Sequence, residues 1–111
     1  MKKIVVKDGI EYWYLNDELH RTDGPAVIYP DGSKYWFRHD MMHRTDGPAI
    51  EEASGFKCWM INDEVHRSHG PAVIYPDGSE HWYYKGMKIN SRKLKKSHVE
   101  LVQRVECEME A

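Results

Sequence analysis

Cysteine is scarce in this chain: Cys58 and Cys107 are the only two among 111 residues. Two thiols build neither a disulfide framework nor a zinc site, and they point to a reducing compartment, the cytoplasm. Long apolar runs are missing as well. Nothing approaches the roughly 18 residues of a membrane span. Ile4-Val5-Val6 behind Met1-Lys2-Lys3 is too short for a secretory signal. Charge of one sign is also lacking. The 16 Lys+Arg stand against 18 Asp+Glu, a formal −2, which argues against general nucleic-acid or membrane-surface binding. A helical pattern is missing between Gly9 and Lys88, where glycine and proline recur throughout. Aromatic residues are plentiful: their 12% argues for a folded chain.

What is present is a period. Trp13, Trp36, Trp59 and Trp82 are spaced by 23 residues, as are Gly9, Gly32, Gly55 and Gly78. His20-Arg21, His43-Arg44 and His66-Arg67 keep the step, and so do Gly24-Pro25-Ala26, Gly47-Pro48-Ala49 and Gly70-Pro71-Ala72. Three units run from Gly9, Gly32 and Gly55; a fourth starts at Gly78 and decays after Met87, where Ile89 takes the place of His. Periods of this length mark arrays whose units bury a face only by stacking.

Each unit reads as β-structure. In the first, Ile10-Glu-Tyr-Trp-Tyr-Leu15 is a strand bounded by turn residues. Asn16-Asp17 tolerates positive φ and makes a tight hairpin turn, with equivalents His39-Asp40, Asn62-Asp63 and Lys85-Gly86. A return strand over 18–21 follows, then an interruption at Asp23-Gly24-Pro25, then a strand over 26–29 and a turn at Pro30-Asp31-Gly32. Residues 1–8 supply an N-terminal capping strand and 9–88 the units. After Ser91 the pattern changes. Leu94, His98, Leu101, Val102, Val105 and Met109 fall near helical spacing, so a helix is expected over 91–110 as a C-terminal cap. The expected fold is therefore one domain: a mainly β, antiparallel sheet of about three and a half units with a helical cap.

The period, the aromatic strand and the Tyr-Pro-Asp-Gly ending (Tyr29 to Gly32, Tyr75 to Gly78) resemble MORN repeats. The closer likeness is to a divergent MORN-like group with Trp, an Asn-Asp turn and His-Arg-x-x-Gly-Pro-Ala, and it covers about residues 9 to 87. Ordinary MORN units carry paired glycines where this chain has Gly-Pro-Ala. The resemblance implies a curved, mostly single-layer sheet that serves as a scaffold for protein partners, without chemistry. Arrays of this kind in phages and large viruses imply a small protein that sequesters or inhibits a host protein, in the host cytoplasm.

Candidate sites follow from residue types. Arg21, Arg44 and Arg67 form a ladder with two readings. It is an anion site for a phosphorylated small molecule or nucleotide, or a fold element in which Arg stacks on Trp and His donates to the Asp-Gly-Pro turn. No metal is expected. Strands lie about 4.8 Å apart, so units of two or three strands advance about 10–14 Å. Zinc–nitrogen bonds are about 2.0–2.1 Å, so equivalent histidines cannot share an ion. No cofactor or catalysis is expected either, since no nucleophile, base and orienting group recur together. The basic run Arg92 to Lys96 reads as a solvated helix face.

Alternation puts Tyr12, Tyr14, Tyr35, Phe37 and Tyr83 on the sheet face opposite the tryptophans, a composition typical of protein interfaces. The second unit departs most from its neighbours. Arg38-His39-Asp40-Met41-Met42 and Glu51-Glu52 replace Ile-Asn-Asp-Glu-Val and Ile-Tyr of unit three. These positions are the expected specificity element for a protein partner.

Overall fold

The computed structural model describes residues 2–89. The helix expected over 91–110 lies outside them, as do Cys107 and the basic run. Among the described residues every regular element is a strand. β1 (Lys2–Lys7) precedes the first unit, which holds β2 (Ile10–Leu15), β3 (Glu18–Leu19) and β4 (Val27–Ile28). The second holds β5 (Lys34–Tyr35), β6 (Phe37–Arg38), β7 (Met41–Met42) and β8 (Ile50–Glu51). The third holds β9 (Lys57–Cys58), β10 (Met60–Ile61), β11 (Glu64–Val65) and β12 (Val73–Ile74); β13 (Glu80–Tyr84) and β14 (Met87–Ile89) follow.

An antiparallel sheet runs in the order β1-β2-β4-β5-β8-β9-β12-β13-β14, with β3 on β2. β6–β7 and β10–β11 are separate two-stranded hairpins. Those hairpins line up as a second row. Arg21 N–H donates to Phe37 O, Asp40 N–H to Leu19 O, Arg44 N–H to Met60 O and Asp63 N–H to Met42 O. The sequence predicts one strand through each tryptophan, but in units two and three the strand breaks there. Trp36 N–H donates to Ala49 O in the first row, while Trp36 O accepts from His43 N–H in the second. One residue thus serves two rows, and its strand changes neighbours as it passes. β2 stays whole because β1 pairs with it from Lys2↔Leu15 to Lys7↔Ile10.

The turns explain the spacing of glycine and asparagine. Asn16 and Asp17 have φ of 50° and 67°, His39 and Asp40 49° and 65°, Asn62 and Asp63 46° and 67°, Lys85 and Gly86 48° and 82°. Positive φ at both central residues is the two-residue turn that matches strand twist. The longer turn uses Gly32 at φ 94°: Gly32 N–H donates to Tyr29 O and Tyr29 N–H to Ser33 O. Unit two keeps the same bonds, Gly55 N–H to Glu52 O and Glu52 N–H to Phe56 O, although Ala53-Ser54 stands where its neighbours have Pro-Asp.

The core is thin and lies in the first row. Ala26, Ala49 and Ala72 are 0% exposed, and Val27, Cys58 and Val73 are buried. Each alanine is held by two backbone bonds: Trp13 N–H donates to Ala26 O, and Ala26 N–H donates to Tyr35 O. The body is a slab of 47 × 35 × 18 Å.

Candidate binding surface

The loop between the rows is built around its own arginine. Arg21 Cζ lies 3.6 Å from the centre of the Trp13 ring, Arg44 Cζ 3.8 Å from Trp36, and Arg67 Cζ 3.9 Å from Trp59. The opposite face of each guanidinium meets a glycine. A Cβ on Gly24, Gly47 or Gly70 would come within 2.9, 2.8 and 2.8 Å of the Cζ of Arg21, Arg44 and Arg67. Arg21 donates to Pro25 O, Arg44 to Pro48 O and Arg67 to Pro71 O. Trp, Arg, Gly and Pro of one unit are therefore a single stacked object, with the planar cation between an indole and a bare Cα.

Two of the three arginines are also neutralised in place. Arg21 Nε donates to Asp23 Oδ1 and Arg44 Nε to Asp46 Oδ1, both at 2.8 Å. The guanidinium beside each aspartate holds its carboxyl below the usual range. Arg44 also reaches Glu51 Oε1 at 3.0 Å. An anion from outside would have to displace these partners.

The histidines make a link that their residue type alone does not announce. Each accepts, and from the next unit. His39 N–H donates to His20 Nδ1, Asn62 N–H to His43 Nδ1 and Lys85 N–H to His66 Nδ1. The N–H of the first turn residue points out of its own hairpin, and the adjacent return strand presents the imidazole. The second turn residue makes the reverse link: Leu19 N–H donates to Asp40 Oδ1 and Met42 N–H to Asp63 Oδ1. Sequence reasoning missed this role of the aspartate. The signal was that Asp17, Asp40 and Asp63 persist while the residue before them varies.

Protonation of Nδ1 removes the acceptor, so this link depends on pH. Burial first, then the charges of His39 and Arg38, lower the His20 pKa against a smaller opposing pull from Glu18. The unfolded chain then takes up this proton more readily than the folded one, so stability rises with pH here. The contribution of His20 is complete above about 6.5, the unfolded value, and is lost as pH falls through the lower folded value. Urea midpoints measured across this range should fall on acidification, and His20→Gln should flatten the curve. An unchanged slope in that variant would refute the link.

The aromatic face covers itself more than its composition suggests. Tyr12, Val27, Tyr35, Ile50, Cys58, Val73 and His81 stand opposite one another across the sheet. Side chains of the neighbouring rung fold over them: Tyr29 meets Tyr35 with ring centres 5.5 Å apart, and Tyr75 meets His81 at 5.3 Å and Phe56 at 5.4 Å. Tyr12, Tyr14, Tyr35, Phe37 and Tyr83 are all half-buried; Tyr29 and Tyr75 are exposed instead. Burial and the Glu52 contact push the Tyr35 hydroxyl up to about 12, and burial pushes the Cys58 thiol up to about 11. Cys58 is thus a packed thiol, 5% exposed.

The specificity element of unit two divides in the same way. Glu51 is bonded to Arg44, and Glu52 Oε2 accepts from the Tyr35 hydroxyl at 2.8 Å. Asp40 holds Leu19, and the His39 ring lies 4.3 Å from that of His20 and 3.3 Å from Glu18 Oε1. Arg38 and Met41 face each other across β6–β7, and both are exposed; Met42 is half-buried. Among the described residues no cluster of three or more His, Cys, Asp or Glu has metal-holding geometry. Among the described residues no helix is long and apolar enough to cross a membrane. No family model, curated protein or solved structure matches the chain.

Proposed function

We propose that the chain is a non-catalytic protein-binding module, a MORN-like array starting at Gly9, Gly32, Gly55 and Gly78 and closed by a C-terminal helix. The recurrence of the Trp–Arg–Gly stack and of the His and Asp links at 23-residue steps supports the array. The observation that carries the binding reading is the return-strand row. Met41 and Met87 stand exposed where the other two units have Glu18 and Glu64. Methionine supplies adaptable apolar contact, and flanking acids choose the charge of what meets it. Arg38 adds a cation beside Met41 that no other unit has at that position. The resemblance to phage arrays points to a host protein in the cytoplasm as the partner.

The test is a transplant. Residues 38–42 are replaced by the unit-three residues 61–65, leaving Glu51 and Glu52 in their internal bonds. The variant should melt as the original does and should lose the protein that the original retains from host lysate. A variant that folds and retains the same protein equally well overturns this assignment.

A further inference from the structure

We propose that the third unit uses Arg67 to bind an oxyanion, a carboxylate or phosphate oxygen supplied from outside the chain. The molecule contains its own examples of such an arrangement. In units one and two the Nε of the stacked arginine donates to an aspartate oxygen at 2.8 Å. Those aspartate side chains are 79% and 83% exposed, so the Nε edge opens to solvent. Arg67 keeps the pose, with its Cζ over Trp59 and its donor on Pro71 O. The acid does not recur. His69, exposed, stands where the other units have Asp23 and Asp46, and Ile74 stands where Glu51 reaches Arg44.

Two exchanges thus strip this arginine of both carboxylates while leaving its stack intact. Among the described residues no carboxylate bonds Arg67, and Glu80 acts on it only through space. A guanidinium fixed by its faces, with its Nε edge in the place that meets a solvent-exposed carboxylate in units one and two, is preorganised for a planar or tetrahedral oxyanion. A groove of about 540 Å³ runs between this loop and the preceding one and gives the ligand room. Its other wall carries Asp46, whose charge Arg44 already meets. The site is independent of the protein-binding reading, because it needs neither Arg38 nor Met41.

The experiment titrates the full ¹⁵N-labelled chain with inorganic phosphate and, separately, with acetate, following each arginine Nε–H signal by NMR. The Arg67 signal should shift and saturate, while those of Arg21 and Arg44 hold. Tighter saturation by phosphate assigns a phosphate ligand, and by acetate a carboxylate; either supports the site. H69D, which restores the residue of units one and two at an exposed position, should weaken binding at least about tenfold, the loss of one charge-assisted bond. The S68T/H69D pair, which restores both residues, should do the same. The site is overturned if Arg67 saturates with neither anion, if the three arginines respond alike, or if H69D binds unchanged. The transplant of residues 38–42 should leave both titrations as they are.

Discussion

Gly47→Ala should destabilise the protein by about 1–3 kcal/mol, a large effect for one methyl group on a half-buried residue. The new Cβ would lie 2.8 Å from Arg44 Cζ and 3.1 Å from Nε and Nη1. The guanidinium cannot retreat, because the Trp36 ring is on its far side with its centre 3.8 Å from Cζ. Arg44→Ala should cost about 2–3 kcal/mol from the lost stack and the lost bonds to Pro48 O and Glu51. In the double variant the methyl no longer meets a cation. The cost of the double variant should then fall short of the sum of the two single costs by at least about 1 kcal/mol. Arg44→Lys should not restore stability, since an ammonium neither lies flat between two surfaces nor forks. Urea denaturation of the four proteins closes the cycle, and additive costs would sink the stacked-loop account. Gly70→Ala should be worse than Gly47→Ala, because Gly70 also has φ of +149°.

Much of this architecture is legible in the residue order, and the exceptions share one cause. The turns were readable because their chemistry is local: a pair such as Asn16-Asp17 states its own φ. The stack of Arg21 on Trp13 was one of two readings open from the ladder. Its second surface, Gly24, was not foreseen, since glycine in Asp-Gly-Pro already has a sufficient reason as a turn residue. The histidine links escape the residue order because the acceptor and donor are 19 residues apart. They meet only once hairpins of successive units are placed side by side. The aromatic face shows the same limit. Alternation along one strand puts Tyr12, Tyr35 and Tyr83 on a face, but Tyr29 and Tyr75, which cover part of it, come from the strands between. Glu51 and Glu52 read as surface charge because their partners, Arg44 and Tyr35, are remote from any local pattern. Pairwise register, and not composition, decides which side chains a slab this thin leaves uncovered.

Register also predicts a volume exchange on the aromatic face. Cys58→Tyr alone should cost about 1–3 kcal/mol, and Phe56→Ser alone about 2–3 kcal/mol. Positions 33 and 35 carry Ser and Tyr, 79 and 81 carry Ser and His, but 56 and 58 carry Phe and Cys. In every case one ring and one small residue share the same face of a strand. Ser33 is only 5% exposed, and Tyr35 reaches past it to bond Glu52. In the third unit the ring comes from the other position, where Phe56 lies against Tyr75 and Cys58 is 5% exposed between Ile50 and Val73. A tyrosine introduced at 58 would extend between Glu52 and Tyr75, into the space that Phe56 fills. Removing the phenyl ring clears that space, so the F56S/C58Y pair should recover to within about 1 kcal/mol of the original. Recovery should stop short of complete for a specific reason. Ser33 Oγ accepts from Ala53 N–H at 3.0 Å, and the corresponding residue in the third unit is Pro76, which has no N–H to give. Thermal and urea unfolding of the two single variants and the pair decide the matter. If the pair is as unstable as the sum of its members, the two positions do not share a volume.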